Sequence, residues 1–210
     1  MVKNIFISII LFITSIIAYI FSYKLNKQLI YFKTKLYSKW IYSEFNKIGA
    51  NGIISYPLYL HGGKYISVGH NFSCNIRVRL EAFDAHLGYN FSPIINIGNN
   101  VSINPDCHIG AINRIDIGDG VLIASKVFIT DHFHGEINSN SIKTPPSERK
   151  LYSKGPVLIE RNVWLGEGVV VLPGVTIGEN SIIGANSVIT KNIPKNSVVG
   201  GNPSRIIRTL

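Results

Sequence analysis

Two histidines stand close together in the segment that begins at Asp131 and ends at His134. An imidazole whose pKa lies near neutral pH can take a proton from a hydroxyl group, provided that an acceptor holds it in one tautomer. Asp131 or Glu148 could be that acceptor, with His132 or His134 as the base. General-base catalysis is therefore the first chemistry that this segment indicates.

A zinc site is a second interpretation of the same histidines. Neutral imidazoles bind zinc when a third protein ligand joins them, and His70, His86 and His108 are available elsewhere in the chain. Such a site would suit a zinc hydratase built on a repeat fold. A third interpretation gives the two histidines no role beyond that of polar surface residues.

The elements that must position these histidines repeat every six residues. From Ile159 to Val188, each unit opens with an aliphatic residue and contains Gly or Asn. A helix needs apolar residues at about every 3.6 positions and a strand at every second one, so this period predicts short strands separated by turns. Units of this size cannot bury their own aliphatic residue and must share one core by stacking. The pattern predicts an all-β solenoid.

The same register continues upstream, with one slip of two residues. Units open at the following positions: Ile97, Ile103, Ile109, Ile117, Ile123 and Ile129. A weaker pair begins at Val68 and Cys74. The alternative, a β-sandwich, would space its turns irregularly by about 8 to 12 residues. Cys74 and Cys107 stand far apart and are interpreted as reduced packing residues.

Binding sites of solenoids lie where insertions leave the stack, so the breaks in register are the places to look for function. Two long loops interrupt the repeat, at 82–96 and at 130–156, and the second contains the histidine pair. In the first loop, Asp84 and His86 are candidate substrate-binding residues. Asn104 could bind a sugar hydroxyl, or it could be an asparagine in a turn. The slip at 111–114 is shorter and is expected only to shape the cleft.

The N-terminal end points to a membrane. Residues from Ile5 to Tyr23 carry no charge, which predicts a membrane-anchoring helix over 1–23. An interfacial helix and a cleaved signal peptide are the alternatives. Lys3 precedes the apolar run and five lysines follow it by residue 39, so positive-inside logic places the rest of the chain in the cytoplasm.

Residues 24–60 form a basic and aromatic juxtamembrane linker. Of the formal net charge of +9, residues 1–50 supply +6, with seven lysines against the single acid Glu44. Basic charge beside an apolar run favours an anionic lipid surface over nucleic acid as partner. The alternative for this linker is a helix that caps the first coil. The repeat domain is then expected over 61–210.

Ordered motifs identify a family resemblance over about two thirds of the chain. The motifs are Ile117-Gly-Asp-Gly-Val-Leu-Ile-Ala, Thr130-Asp-His-Phe-His-Gly, Asn162-Val-Trp-Leu-Gly-Glu-Gly, Pro173-Gly-Val-Thr-Ile-Gly, Gly184-Ala-Asn-Ser-Val-Ile-Thr-Lys and Gly201-Asn-Pro-Ser-Arg. Together they resemble hexapeptide-repeat acyltransferases, in the branch of polysaccharide, maltose and galactoside O-acetyltransferases. The resemblance implies a left-handed parallel β-helix, although parallel crossovers are nearly always right-handed. It also implies a homotrimer that binds acyl-CoA between adjacent subunits.

The resemblance also implies residue roles. His132 matches the catalytic histidine, with His134 as the alternative base and Asp131 as its partner. The residues that match the acyl-CoA site are Trp164, Gly166, Glu167, Gly184, Ala185, Thr190, Lys191, Arg205 and Arg208. Glu167 departs from the serine often found at its position, so a cofactor contact from this side chain is in doubt. No metal is expected.

These features predict an acetyl-CoA-dependent O-acetyltransferase. We expect it to act on a sugar hydroxyl of a cell-surface polysaccharide or of a lipid-linked precursor, from the cytoplasmic side of a bacterial inner or plasma membrane. A soluble enzyme for free sugars would gain nothing from a lysine-flanked apolar helix. The rival hypotheses are the zinc hydratase and a non-catalytic, membrane-anchored β-helix scaffold.

Overall fold

The computed structural model describes residues 2–210, which form two N-terminal helices followed by a stack of short strands. Helix α1 covers Val2–Ile20 and helix α2 covers Tyr23–Ile41. Short 3₁₀ turns lie at Tyr42–Glu44, Gly63–Tyr65, Ser141–Lys143 and Pro146–Glu148.

Twenty-four strands follow α2. In chain order they are β1 (Lys47–Ile48), β2 (Ile53–Ile54), β3 (Leu58–His61), β4 (Ile66–Val68), β5 (Ser73–Cys74), β6 (Val78–Ala82), β7 (Ala85–His86), β8 (Tyr89–Asn90), β9 (Ile94–Ile97), β10 (Ser102–Ile103), β11 (His108–Ala111), β12 (Arg114–Ile117), β13 (Leu122–Ile123), β14 (Phe128–Thr130), β15 (Phe133–His134), β16 (Leu151–Tyr152), β17 (Val157–Ile159), β18 (Trp164–Leu165), β19 (Val170–Val171), β20 (Thr176–Ile177), β21 (Ile182–Ile183), β22 (Val188–Ile189), β23 (Ser197–Gly200) and β24 (Arg205–Thr209).

Three sheets form the walls of the stack, and their strand pairs are parallel except for the terminal pair β23–β24. The first sheet has the order β1-β4-β9-β12-β17-β20, the second β2-β5-β10-β13-β18-β21-β23-β24, and the third β22-β19-β14-β11-β6-β3. From β1 to β22, apart from the loop strands β7, β8, β15 and β16, successive strands along the chain belong to successive sheets, so each coil contributes one strand to every wall. The predicted parallel β-helix of hexapeptide repeats is confirmed at this level. Its left-handed winding stays a prediction from the family resemblance.

The aliphatic residue that opens each hexad fills the core. In the second sheet Ile103, Ile123, Leu165 and Ile183 stand directly above one another in register. Each of these side chains is at most 1% exposed. Because the strands are only two to five residues long, stability depends on this stacking between coils and not on any single unit.

Asparagine and glycine make the corners tight enough for the six-residue period. Asn162, Asn180 and Asn196 all have positive φ, and the side-chain amides of Asn162 and Asn180 each donate a hydrogen bond to the next asparagine of the stack. A left-handed backbone is costly for most residues, and Asn and Gly tolerate it best. Gly120 continues this column at φ +70°, where a side chain would collide with the amide of Asn162.

Helix α2 closes the N-terminal end of the core. The Ser38 hydroxyl accepts a hydrogen bond from the Ile54 N–H at 2.8 Å, and its own proton is shared between the Thr34 carbonyl at 2.6 Å and the Ile54 carbonyl at 3.1 Å. Tyr42 donates to the Gly52 carbonyl at 2.5 Å. The C-terminal part of α2 therefore caps the first coil, which was the alternative interpretation of the juxtamembrane segment. The rest of this helix is exposed.

The repeat begins earlier than the predicted boundary at residue 61. Strands β1, β2 and β3 pair with β4, β5 and β6, so residues 47–61 form a complete first coil, most of it within the predicted linker over 24–60. The hexad signature does reach this coil, as Ile48-Gly49-Ala50-Asn51 with Ile54 six residues after Ile48, so the earlier boundary could have been placed from the sequence. Cys74 and Cys107 are both buried and free, as expected of packing residues.

Helix α1 is the one segment within residues 2–210 with the length and apolar composition of a membrane span, over Lys3–Ile20. No part of that window is buried against the rest of the protein. Helix α2 begins separately at Tyr23. Its N-cap is Ser22, whose hydroxyl accepts a hydrogen bond from the Leu25 N–H. The uncharged run is therefore a separate helix from the lysine-rich one.

Candidate active site

Both long loops leave the stack at the same corner, where strands of the third sheet pass into the first sheet. The first loop follows β6 and folds back as the antiparallel pair β7–β8, and the second follows β14 and forms the pair β15–β16. The Lys150 ammonium lies 4.9 Å from the centre of the Tyr89 ring and so joins the two loops. The predicted loops thus form one continuous surface.

His132 lies at the root of the second loop, two residues after β14. Its Nδ1 is 2.9 Å from Asp131 Oδ1 and 3.2 Å from the Thr130 hydroxyl. With Nδ1–H donating to the carboxylate, the ring is held in the tautomer whose Nε2 carries a lone pair. The side chain is 12% exposed, so this nitrogen has limited access to water.

Asp131 is completely buried, and the slip in the repeat is what holds it. Backbone N–H groups of Ile112 and Asn113 donate to its Oδ1 and Oδ2 at 3.0 Å and 2.8 Å. The expectation that the slip at 111–114 only shapes the cleft was therefore wrong, because these residues bind the carboxylate that orients His132. The sequence did contain a sign of this role, because the two extra residues of the slip lie one coil before Asp131.

The other candidates for the base and its partner lie elsewhere. His134 is exposed on β15, and its ring centre is 6.0 Å from that of His86. The His86 Nε2 is buried and, within residues 2–210, has no hydrogen-bond partner. Glu148 is exposed in a 3₁₀ turn of the loop, so Asp131 is the carboxylate that contacts a catalytic candidate.

The predicted substrate-binding residues are only partly brought together. Asp84 lies at the His132 corner and accepts hydrogen bonds from the Tyr65 hydroxyl at 2.8 Å and from Lys64 at 3.2 Å. The Tyr65 hydrogen bond is the main reason that the pKa of Asp84 is lowered. Asn104 lies at the opposite end of the third sheet, where its amide donates to the Ile123 carbonyl at 2.9 Å. Within one chain Asn104 is therefore not brought to His132.

Sequence reasoning missed the aromatic wall beside His132. The Phe83 ring packs edge-on to His132, with centres 6.2 Å apart, and tilts against His61 at 5.0 Å. Phe83 directly follows β6, and its position next to His132 depends on the pairing of β6 with β11 and of β11 with β14. An isolated phenylalanine in a loop carries no signal of this arrangement.

The residues predicted to bind acyl-CoA occupy four places. Trp164 and Arg208 share one row of the outward face of the second sheet, three strand spacings or about 14 Å apart. Gly166, Glu167, Gly184 and Ala185 lie at the corner between the second and third sheets, which is also the corner of Asn104.

The remaining three lie elsewhere. Thr190 and Lys191 follow β22 at the corner of His132. Arg205 opens the exposed strand β24, which pairs with β23 at the C-terminal end of the stack.

Gly166 and Glu167 have specific local reasons for their residue types. A Cβ at Gly166 would lie 2.7 Å from the backbone nitrogen of Ala185, so the coils approach too closely for a side chain. The Glu167 carboxylate lies 3.3 Å from the Lys126 ammonium, and both side chains are more than half exposed. Glu167 is therefore used in a surface ion pair.

Comparison with known proteins supports the resemblance. The family model "Bacterial transferase hexapeptide (six repeats)" matches residues 156–191. The "Putative lipopolysaccharide biosynthesis O-acetyl transferase WbbJ" of Escherichia coli strain K12 is 42% identical over 160 residues, which cover 74% of this chain and 78% of that protein. The chain belongs to the hexapeptide-repeat acetyltransferase family.

Other members of this family match as well. The galactoside O-acetyltransferase of Escherichia coli strain K12 is 36% identical over 79% of this chain and 64% of its own length. A solved structure of galactoside acetyltransferase in complex with coenzyme A has a TM-score of 0.53 and 31% identity, over 82% of this chain and 68% of that chain. The similarity therefore extends well beyond the repeat region that the family model matches.

The matched repeat region of this acetyltransferase runs from just before β17 to just after β22. It contains the predicted acyl-CoA residues from Trp164 to Lys191 but not His132, which precedes it. Among residues 2–210, no group of three or more His, Cys, Asp or Glu side chains could hold a metal ion.

Proposed function

We propose that this acetyltransferase moves an acetyl group from acetyl-CoA to a sugar hydroxyl of a cell-surface polysaccharide or its precursor, with His132 as general base. The observation that carries the proposal is the anchored imidazole. His132 Nδ1 contacts a buried carboxylate that accepts two backbone N–H groups, so the ring orientation is fixed before substrate binds. His134 lacks such an anchor and is the weaker candidate.

The chemistry requires one proton to move twice. The His132 Nε2 lone pair takes the proton of the acceptor hydroxyl as that oxygen attacks the thioester carbonyl. The tetrahedral intermediate then expels the CoA thiolate, which receives the same proton from the imidazolium. General-base catalysis of this kind contributes about 10²- to 10⁴-fold. The buried Asp131 carboxylate stabilises the imidazolium between the two transfers.

The residues proposed to bind acetyl-CoA suit its parts. Trp164 offers an exposed aromatic surface, and Lys191, Arg205 and Arg208 offer exposed cations for phosphates. Gly184 presents backbone that a pantetheine arm can approach closely. A solved galactoside acetyltransferase of the family binds coenzyme A, which supports the same co-substrate here.

A homotrimer would bring these separate parts together. Gly166, Ala185 and Asn104 lie at one corner of the third sheet, while His132, Thr190 and Lys191 lie at another. A neighbouring copy whose corner faces His132 would complete the site without any change within the chain. We therefore expect the protein to be trimeric in solution and its β-helix to be left-handed.

The acceptor class is inferred from the N-terminal helices and from the named relatives. Helix α1 is proposed as a membrane anchor, and the exposed lysines of α2, including Lys24 and Lys27, as contacts to anionic lipid headgroups on the cytoplasmic face. An enzyme held at that surface meets lipid-linked saccharides at high local concentration. The name of the lipopolysaccharide biosynthesis relative supports a glycan acceptor.

The test is turnover of the detergent-solubilised, full-length protein with acetyl-CoA and candidate glycans. Release of free CoA and a mass increase of the glycan by one acetyl group are expected for the wild type. His132→Ala should abolish release while His134→Ala retains it, with unchanged thermal unfolding in both. Unchanged turnover of His132→Ala would refute the base, and absence of any acetylated glycan would refute the acceptor class.

A further inference from the structure

A second imidazole–carboxylate pair lies on the third sheet next to His132. The Glu81 carboxylate is 2.7 Å from His108 Nε2 and accepts hydrogen bonds from Arg79 at 2.8 Å and 3.0 Å. The Glu81 and His108 side chains are 15% and 28% exposed, so the pair is accessible from one side only. None of these three residues has a role in the chemistry proposed above.

The register of the sheet places this pair beside the base. Glu81 is paired with Gly110, and Gly110 is paired with Thr130, whose hydroxyl contacts His132. A Cβ built on Gly110 would lie 3.4 Å from His108 Nε2 and 3.6 Å from His132 Cε1. The two imidazoles therefore flank the same point, and the missing side chain of Gly110 leaves them facing each other.

Aromatic rings border this polar strip at both ends. Phe128 lies against His108 with ring centres 5.0 Å apart, and Phe83 lies against His132 at 6.2 Å. Carboxylates that accept from several donors still have free lone-pair positions for a ligand hydroxyl. A surface of carboxylate, imidazole and aromatic groups around a general base suits a ligand with several hydroxyl groups and apolar C–H faces, which describes a pyranose ring.

We propose that Glu81, held by Arg79 and His108, positions the acceptor by accepting a hydrogen bond from the hydroxyl next to the one that His132 deprotonates. Glu81 is thereby a specificity-determining residue for which hydroxyl is acetylated. The inference rests on the proposed function, because it takes His132 as the base. Arg79 and His108 act through Glu81 and are positioning residues.

The proposal predicts a specific pattern with deoxy sugars. A panel of methyl pyranosides identifies one that the wild type acetylates, and nuclear magnetic resonance of the product identifies the acetylated position. The monodeoxy analogue that lacks the neighbouring hydroxyl should lower kcat/KM of the wild type by about 10- to 100-fold, the range expected for a hydrogen bond to a charged group. Glu81→Gln should lose a similar factor on the parent sugar and respond less than threefold to the same analogue.

Several readouts separate this effect from a structural one. Glu179→Gln is the matched control, because Glu179 accepts from Arg161 at 2.6 Å on another corner of the stack, and it should behave as the wild type with every sugar. The KM for acetyl-CoA should be unchanged in Glu81→Gln. Acceptor-independent hydrolysis of acetyl-CoA should also persist in Glu81→Gln and be lost in His132→Ala.

Each outcome decides one of the two proposals. Equal responses of wild type and Glu81→Gln to every deoxy analogue would overturn the role of Glu81 while leaving His132 as base. Acetyl-CoA hydrolysis that survives in His132→Ala would instead overturn the proposed function. Failure of the wild type to acetylate any pyranoside would overturn the role of Glu81, and the hydrolysis assay would still report on His132.

Discussion

Replacing Asp131 by asparagine tests the proposed catalytic geometry most directly. The carboxylate accepts from three N–H groups, those of Ile112, Asn113 and His132 Nδ1, and it is completely buried. Asparagine keeps the shape of the side chain but has only one oxygen that can accept a hydrogen bond. Its NH₂ group would therefore point at an N–H group from which it cannot accept. The Ile112 N–H and His132 Nδ1 share Oδ1, while the Asn113 N–H contacts Oδ2. In the orientation that places the NH₂ group at the Oδ1 position, the imidazole must accept at Nδ1 and carry its proton on Nε2.

That tautomer has no lone pair for the acceptor hydroxyl. We therefore expect Asp131→Asn to lose about 10²- to 10⁴-fold in kcat, equal to about 3 to 5 kcal/mol of barrier. Loss of hydrogen bonds to a buried charged group should also lower the free energy of unfolding by about 1 to 3 kcal/mol. The protein should remain folded at assay temperature, because the side-chain volume is unchanged.

The assay is release of free CoA, followed with a thiol reagent. Cys74 and Cys107 are each about 1% exposed, and burial raises the pKa of the Cys107 thiol to about 11, so the protein's own thiols contribute little signal. Thr130→Val is the matched control, because the Thr130 hydroxyl lies 3.2 Å from the same His132 Nδ1. This substitution should lower kcat by less than tenfold. Turnover of Asp131→Asn within threefold of wild type would refute the tautomer argument.

Three further predictions concern the scaffold. Gly166→Ala should lower the free energy of unfolding by about 1 to 3 kcal/mol, because its Cβ would press on the backbone of Ala185; chemical denaturation measures this, and an unchanged midpoint would contradict the close approach. Ser38→Ala should lower the free energy of unfolding by about 1 to 3 kcal/mol, because it leaves the Ile54 N–H without an acceptor beneath α2; hydrogen exchange should increase first in residues 47–61. Burial lowers the pKa of His108, so on acidification the unfolded chain binds a proton at this residue before the folded chain does. The free energy of unfolding should therefore fall as the pH drops below about 6.5. Melting temperatures measured at several pH values should fall less in His108→Gln than in the wild type, and an equal fall would reject the assignment.

The sequence determined the repeat and its core without help from the structure. A six-residue period with an aliphatic opening residue can be satisfied only by short strands whose partners lie one coil away. Ile103, Ile123, Leu165 and Ile183 accordingly stack as the register predicts. The long loops were equally visible, because a periodic signal shows clearly where it stops.

Tertiary structure alone decided which polar groups meet. Asp131 and the slip residue Ile112 are 19 positions apart, and Glu81 and His108 are 27 apart, and nothing in the local sequence fixes these pairs. Their distances depend on how many residues each coil contains, so one slip moves every contact between the coils that it separates. The six-residue pattern encodes a core common to all units, whereas the functional surface arises from the departures from that pattern, whose effects appear only once the coils are stacked.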